Sequence, residues 1–271
     1  MRNLRPDIGR AVAACLLLLI ALGCNAARGT DTLSMTPESG PLITDNWQSV
    51  APGIERRDMT VELGGGSQAR AALVRLDPSV VIFRSHYSPG APHTLAEWRD
   101  LLPQASVIVN GAFFDDEDRA LGLLVSEGQV FGSSFAEFGG MFQVTAEGPR
   151  VRSLVSEPYQ GETLAQAVQG FPVLLEAGGI MARQSDGFDR RARRTVIGQD
   201  WTGRIIVAVF PHSGISFAEL QTWLLGSDLN LYIALALDGG RSSGLVINTP
   251  TRGESYPSLD GVPSVIAVYG S

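Results

Sequence analysis

Apolar and polar residues alternate or cluster in short runs along most of the chain, and Gly, Pro and Asp punctuate them, the pattern expected of strands. Such runs occur at Met59–Leu63, Ala71–Leu76, Val80–Phe83, Ser106–Val109 and Leu121–Val125. They recur at Phe171–Leu175, Thr195–Gln199, Ile205–Phe210, Tyr232–Leu237, Leu245–Ile247 and Val265–Val268. Glu127–Gly128, between Leu123–Ser126 and Gln129–Phe131, predicts a hairpin, and the turn residues Asp200–Gly203 predict another. Capping boxes predict three helices, because a hydroxyl residue is followed three positions later by a side chain that can reach back: Thr94 with Glu97, Thr163 with Gln166, and Ser216 with Glu219. The expected fold is α/β or α+β: a large mixed β-sheet with a few packed helices, in one domain over residues 47–271.

The pattern is different ahead of that body. Arg2, Arg5 and Arg10 precede an apolar run, Ala11–Leu22, that is short for a membrane span, so residues 1–23 read as a signal peptide. The run ends in Ile20-Ala21-Leu22-Gly23-Cys24, which resembles a bacterial lipobox, and Cys24 would carry the lipid. Plain signal-peptide cleavage is the alternative. Residues 24–46, rich in Ser, Thr, Gly and Pro, read as a tether. The expected location is therefore the bacterial cell envelope, as an exported lipoprotein bound to a membrane through its lipid anchor. The other cysteine, Cys15, leaves with the signal peptide, so the body can hold no internal disulfide, cysteine nucleophile or cysteine–zinc site.

Charge and composition narrow the chemistry further. The formal net charge is -7 with no long run of one sign, which argues against nucleic acid as a partner. All 21 basic residues are Arg, so lysine nucleophiles and Schiff bases are excluded. His86, His93 and His212 have no ligand spacing, and the acidic run Asp115–Asp118 reads first as a solvated loop. No metal site and no cofactor is implied, although a divalent ion stays open.

Four segments could carry chemistry. The apolar run Leu229–Leu237 leads to Asp238-Gly239-Gly240-Arg241-Ser242-Ser243, a carboxylate at the end of a buried strand, followed by glycines that allow a sharp turn and hydroxyls that could cradle an anion. An Asx-capped turn explains Asp-Gly equally well. Ser106–Val109 leads to Asn110-Gly111-Ala112-Phe113-Phe114, in which Asn110 offers a donor and an acceptor to a sugar hydroxyl and Phe113 or Phe114 a face for a sugar ring, with core packing the alternative for these aromatics. Asp189-Arg190-Arg191-Ala192-Arg193-Arg194-Thr195 concentrates guanidinium groups suited to phosphate. Arg194, at a strand start, is the favoured one. Gln169 stands at the mouth of the strand that begins at Phe171.

In this order the segments resemble the phosphodiester glycosidase family. Its motifs appear as Asn110-Gly111-Ala112-Phe113-Phe114, Leu121-Gly122-Leu123-Leu124, Gln169-Gly170-Phe171-Pro172, Arg194-Thr195-Val196-Ile197-Gly198 and Leu237-Asp238-Gly239-Gly240-Arg241-Ser242-Ser243. The likeness spans roughly Leu95 to Tyr269. Ala112 stands where a second glycine is usual and Arg241 where a small residue is, two changes that would narrow or recharge a pocket. The resemblance implies an exported hydrolase of glycosyl phosphodiesters or a related envelope glycan. Asp238, Arg194 and Asn110 would be catalytic, with Gln169, Gly239, Gly240, Ser242, Ser243, Thr195 and Phe113 around the substrate. Two other readings stay open: a glycosidase acting on phosphate-free polysaccharide, and a non-catalytic lipoprotein that binds anionic glycans.

Overall fold

The structure, a computed structural model, describes residues 46–184 and 187–270, with Ser213 described by its backbone alone. The signal peptide, Cys24 and the tether up to residue 45 lie outside the described residues. The described residues form one compact unit. Its strands are β1 (Gln48–Ala51), β2 (Ile54–Glu62), β3 (Gln68–Leu76), β4 (Val81–Tyr87), β5 (Val107–Asn110), β6 (Leu124–Ser126), β7 (Gln129–Phe131), β8 (Gly140–Thr145) and β9 (Gly148–Ser153). They continue as β10 (Gln166–Gly170), β11 (Val173–Glu176), β12 (Ile180–Met181), β13 (Ala192–Asp200), β14 (Ile205–Ile215), β15 (Leu231–Ala236), β16 (Leu245–Thr249), β17 (Arg252–Tyr256) and β18 (Ser264–Gly270). Two α-helices, α1 (Leu95–Leu101) and α2 (Phe217–Gly226), pack among them.

Three sheets result, rather than one mixed sheet. The orders are β1-β2-β3-β14-β13-β15-β11-β12, β7-β6-β10-β8-β9 and β17-β16-β5-β18-β4. Every pairing described is antiparallel (for example β13 with β14 and with β15). Hairpins join consecutive strands such as β2 with β3 and β13 with β14, and the other pairings, such as β14 with β3 and β18 with β5, bring distant segments together. The inner faces of the three sheets meet in one core that includes Val74, Val109, Phe142, Ile197, Leu235 and Ile266. The outer face of the eight-stranded sheet, with Leu73, Val196, Ile206 and Ala236, is covered by Leu220 and Leu224 of α2. Leu95 and Trp98 of α1 cover Ile108, Val265 and Ala267 of the third sheet. This explains the unbroken apolar runs. In β14, Ile205, Val207 and Val209 face the central core while Ile206, Ala208 and Phe210 face α2, so both sets of a period-two pattern are buried.

Both helices form where their capping boxes stand: Thr94 and Ser216 each accept from the backbone of the glutamate three residues on, and that glutamate reaches back. The helix expected after Thr163 is instead strand β10. Gln166 is buried, and its carboxamide oxygen accepts from the Ser85 N–H (3.0 Å) and hydroxyl (2.9 Å), while β10 is flanked by β6 and β8. Tertiary pairing on both edges overrides a local capping signal. The run Leu121–Val125 is a strand only from Leu124, since Gly122 turns the chain with φ of +92°. The hairpins at Glu127–Gly128 and Asp200–Gly203 form as expected. Among the described residues no helix is long and apolar enough to cross a membrane.

Candidate active site

Three strand ends converge on one loop. β15 ends at Ala236, and the Leu237 N–H donates to the Thr195 carbonyl (3.0 Å), while the Asp238 N–H donates to the Gly111 carbonyl (3.2 Å) just past β5. Asn110 locks this junction. Its Nδ2 donates to the Asp238 carbonyl (2.7 Å), and its Oδ1 accepts from the Thr195 hydroxyl (2.7 Å) and the Gly244 N–H (3.2 Å). The chain then turns through Gly240, whose φ of +61° suits glycine, and Gly239, where a Cβ would sit 3.2 Å from the Arg193 carbonyl oxygen. The Asp238 carboxylate is thus presented at the end of a buried strand, where the Gly239 N–H donates to it (2.7 Å).

Asp238 opens onto a cavity of about 600 Å³. Phe113 stacks on Phe171 in its lining, with centroids 4.2 Å apart. A separate aromatic group, Phe188 and Phe217, lines it together with Arg190 and Arg194. Arg194 lies over the Phe217 ring, 3.6 Å from its centroid, and its Nη2 donates to the Arg190 carbonyl (2.6 Å). Burial raises the Asp238 carboxyl to about 6, against the pull of the Ser242 hydroxyl and the Gly239 N–H. Burial, aided by the charge of Arg190, lowers Arg194 to about 10, which leaves it a cation at neutral pH. A titrating carboxylate and a guanidinium in one desolvated cavity can stabilise a developing cation and hold an anion.

Among the residues expected from sequence, the cavity brings together Asp238, Arg194, Phe113, Gly239 and Gly240. Ser242 is buried outside the lining, where its hydroxyl favours the ionised Asp238 carboxylate. Asn110, Thr195, Gln169 and Ser243 do not line it. Gln169 is fully buried: its Oε1 accepts from the Leu123 and Phe135 N–H groups (both 2.9 Å) and its Nε2 donates to the Ser134 hydroxyl (2.7 Å). The carboxamides of Asn110 and Gln169 therefore bond to protein and not to the cavity, contrary to the expectation that they meet sugar hydroxyls. Ser243 is buried and gives its carbonyl to Arg193 (2.6 Å). Arg241 does not recharge the pocket, because it forms a two-pronged exposed pair with Asp260 (2.7 Å each), and Ala112 is buried outside the lining.

The arginine run divides. Arg190 and Arg194 face the cavity, Arg191 pairs with Glu219, and Arg193 donates to the Ser243 and Pro257 carbonyls. Sequence reasoning did not single out Arg190, Phe171, Pro172, Phe188 or Phe217 as site residues. Phe171 and Pro172 lay inside a motif already recognised. Phe188 and Phe217 carry no local signal, since they meet only where the Ala218 N–H at the start of α2 donates to the Phe188 carbonyl (3.3 Å) in the loop before β13. Asp115 of the acidic run accepts from the Glu117 and Arg119 backbone N–H groups (3.0 and 2.9 Å) and pairs with the Arg119 side chain, as a loop cap would. Among the described residues there is no group of three or more His, Cys, Asp or Glu side chains that could hold a metal.

Residues 103–269, more than half of the chain, match the model of the phosphodiester glycosidase family. The chain belongs to this family. All the cavity residues of this phosphodiester glycosidase fall within the matched stretch. The fold is similar to the zebrafish N-acetylglucosamine-1-phosphodiester alpha-N-acetylglucosaminidase catalytic domain, at 20% identity and a TM-score of 0.65, over 83% of this chain and 86% of that one. It is also similar to a hypothetical protein from Synechocystis at 18% identity and a TM-score of 0.58, over 82% of this chain and 63% of that one. No curated protein matches the sequence.

Proposed function

We propose that this phosphodiester glycosidase hydrolyses a glycosyl phosphodiester at the anomeric carbon, with Asp238 and Arg194 as its reaction centre. The observation that carries this reading is the placement of a buried carboxylate and an arginine cation in one aromatic-lined cavity. The bond between C1 and the phosphate oxygen breaks, and its electron pair leaves with a phosphate monoester. Water supplies the new hydroxyl at C1 and gives its proton to the released products. The transition state is oxocarbenium-like, so an ionised carboxylate beside C1 stabilises it, whether as nucleophile, base or counter-charge. The phosphate monoester is a good leaving group, so cationic stabilisation matters more than strong acid help. Arg194, with Arg190, binds the phosphate; Phe113 and Phe171 pack on the sugar; and Asn110 and Thr195 hold the Asp238 loop in place. Gly239 and Gly240 let the substrate approach the backbone.

The test is release of free sugar from the methyl phosphodiester of N-acetylglucosamine 1-phosphate, the linkage named for the zebrafish enzyme. Wild type should turn it over, and Asp238→Asn should lose at least about 10²-fold in kcat. Full activity in Asp238→Asn would remove the carboxylate from the mechanism. Turnover of phosphate-free oligosaccharide alone would move the substrate class to ordinary glycans. The anchor is part of the same proposal. Cys24→Ser should move the protein from the membrane to the soluble fraction and abolish fatty-acid labelling, and retention of label would refute lipidation at Cys24.

A further inference from the structure

Phe171, half of the cavity's stacked pair, has a second set of neighbours outside the lining. Phe135 and Phe138 meet it at 5.6 and 6.0 Å, close to perpendicular, and stack on each other at 4.6 Å and 26°. Phe138 is 48% exposed, although a ring in this cluster could be covered by its neighbours. The segment carrying it is tightly held. Gln169 binds Ser134 and the Phe135 N–H from a fully buried position. Glu137 adopts a φ of +62°, in the left-handed region that L side chains disfavour. A Cβ on Gly122 would lie 2.7 Å from the Phe135 ring, so that ring seats against bare backbone. Phe135 packs on the buried cluster of Leu123, Met141 and Leu154, but Phe138 belongs to no core cluster, and the held segment leaves its ring facing solvent.

We propose that Phe135 and Phe138 form a second sugar platform continuous with the cavity, so that the substrate is an oligosaccharide whose penultimate ring lies on Phe138. The inference rests on the reading of Asp238 and Arg194 as the reaction centre. Arg190 and Arg194 belong with the Phe188–Phe217 cluster, so the phosphate occupies that part of the cavity and the sugar lies against Phe113 and Phe171. Phe138 continues the sugar wall and not the phosphate wall. An open, rigid aromatic face suits the C–H face of a pyranose, whereas a methylene chain needs a groove that covers it from more than one direction.

Two substrates test this: the methyl phosphodiesters of N-acetylglucosamine 1-phosphate and of its β-1,4-linked disaccharide 1-phosphate. Wild type should favour the disaccharide by about 10-fold or more in kcat/KM, through KM. In Phe138→Ala that ratio should fall to near unity, and Phe138→Trp should keep it. An unchanged ratio in Phe138→Ala, or no disaccharide preference in wild type, overturns the platform. So does a preference for an octyl phosphodiester that Phe138→Ala removes, which would assign the surface to an acyl chain. If neither sugar ester is cleaved, the hydrolase reading fails by itself. The platform is then judged by calorimetry with the same disaccharide ester: binding weakened about 10-fold or more by Phe138→Ala upholds it, and absent or unaltered binding overturns it.

Discussion

Asp238 shows how one residue can bear on both stability and chemistry. Its carboxyl lies at about 6, above its ordinary 3.8, because burial disfavours the charge. The folded protein therefore holds this proton more tightly than the unfolded chain does. The resulting stabilisation is fully present below about pH 4 and is lost as pH rises through about 6. At one pH unit per 1.4 kcal/mol, the ionised group costs the fold about 3 kcal/mol at pH 8. Asp238→Asn should thus be more stable than wild type at pH 8 and nearly equal to it at pH 4, as read by urea unfolding at the two values. An equal gap at both would mean that the group is not desolvated. Activity that depends on the ionised carboxylate should rise with pH along a limb centred near 6, measured as kcat/KM.

At the scale of elements, the site depends on where β13, β15 and α2 begin and end. Helix α2 starts at Phe217, the ring beneath Arg194, and its cap Ser216 is buried. Ser216→Ala removes the hydroxyl that accepts from the Glu219 N–H (3.2 Å) and should cost about 1 kcal/mol in urea unfolding. Phe217, the first residue of α2, lies beneath Arg194 in the cavity, so loosening the helix start should raise KM for the phosphodiester as well. A Ser216→Ala protein with wild-type stability would show that the first turn is held by packing alone. The capping boxes of α1 and α2 were legible in the sequence because both partners of each lie within four residues. The same pattern at Thr163 misled, because the strands flanking β10 are not visible from one short segment.

Across the whole molecule, the eight-stranded sheet is joined to the third sheet by a buried charge cluster. Arg56 on β2 is 1% exposed and donates to Glu254 (2.5 Å) and Tyr256 (2.8 Å) on β17, and to Asp58 (2.6 Å). Removing one member of a buried pair leaves the other charge without compensation, so Arg56→Ala should lose about 3–5 kcal/mol. The double change Arg56→Met with Glu254→Gln should recover part of that, and urea unfolding of both variants checks the ordering. A loss below about 1 kcal/mol in Arg56→Ala would mean that water reaches the cluster. Nothing near Arg56 in the sequence marks it as buried. Its partners on β17 stand far along the chain and come into range only when the sheets close on one core.

Local physics determined a good deal of this protein. Apolar runs between turn residues marked most of the strands, two of three capping boxes marked helices, and ordered short motifs around Asn110, Arg194 and Asp238 pointed to the family. These features are legible because each is complete within a few residues. Side-chain direction and partnership were not legible. Asn110 and Gln169 sit in the right motifs, yet their carboxamides close protein junctions, because buried polar groups must find partners and the nearest ones belong to distant loops. Arg190 joins Arg194 in the cavity while Arg191 and Arg193 turn elsewhere: the pleat of β13 separates Arg193 from Arg194, and Glu219 draws Arg191 away in the loop before it. The aromatic walls, and the half-exposed Phe138 beyond them, were decided only when three antiparallel sheets brought their ends together.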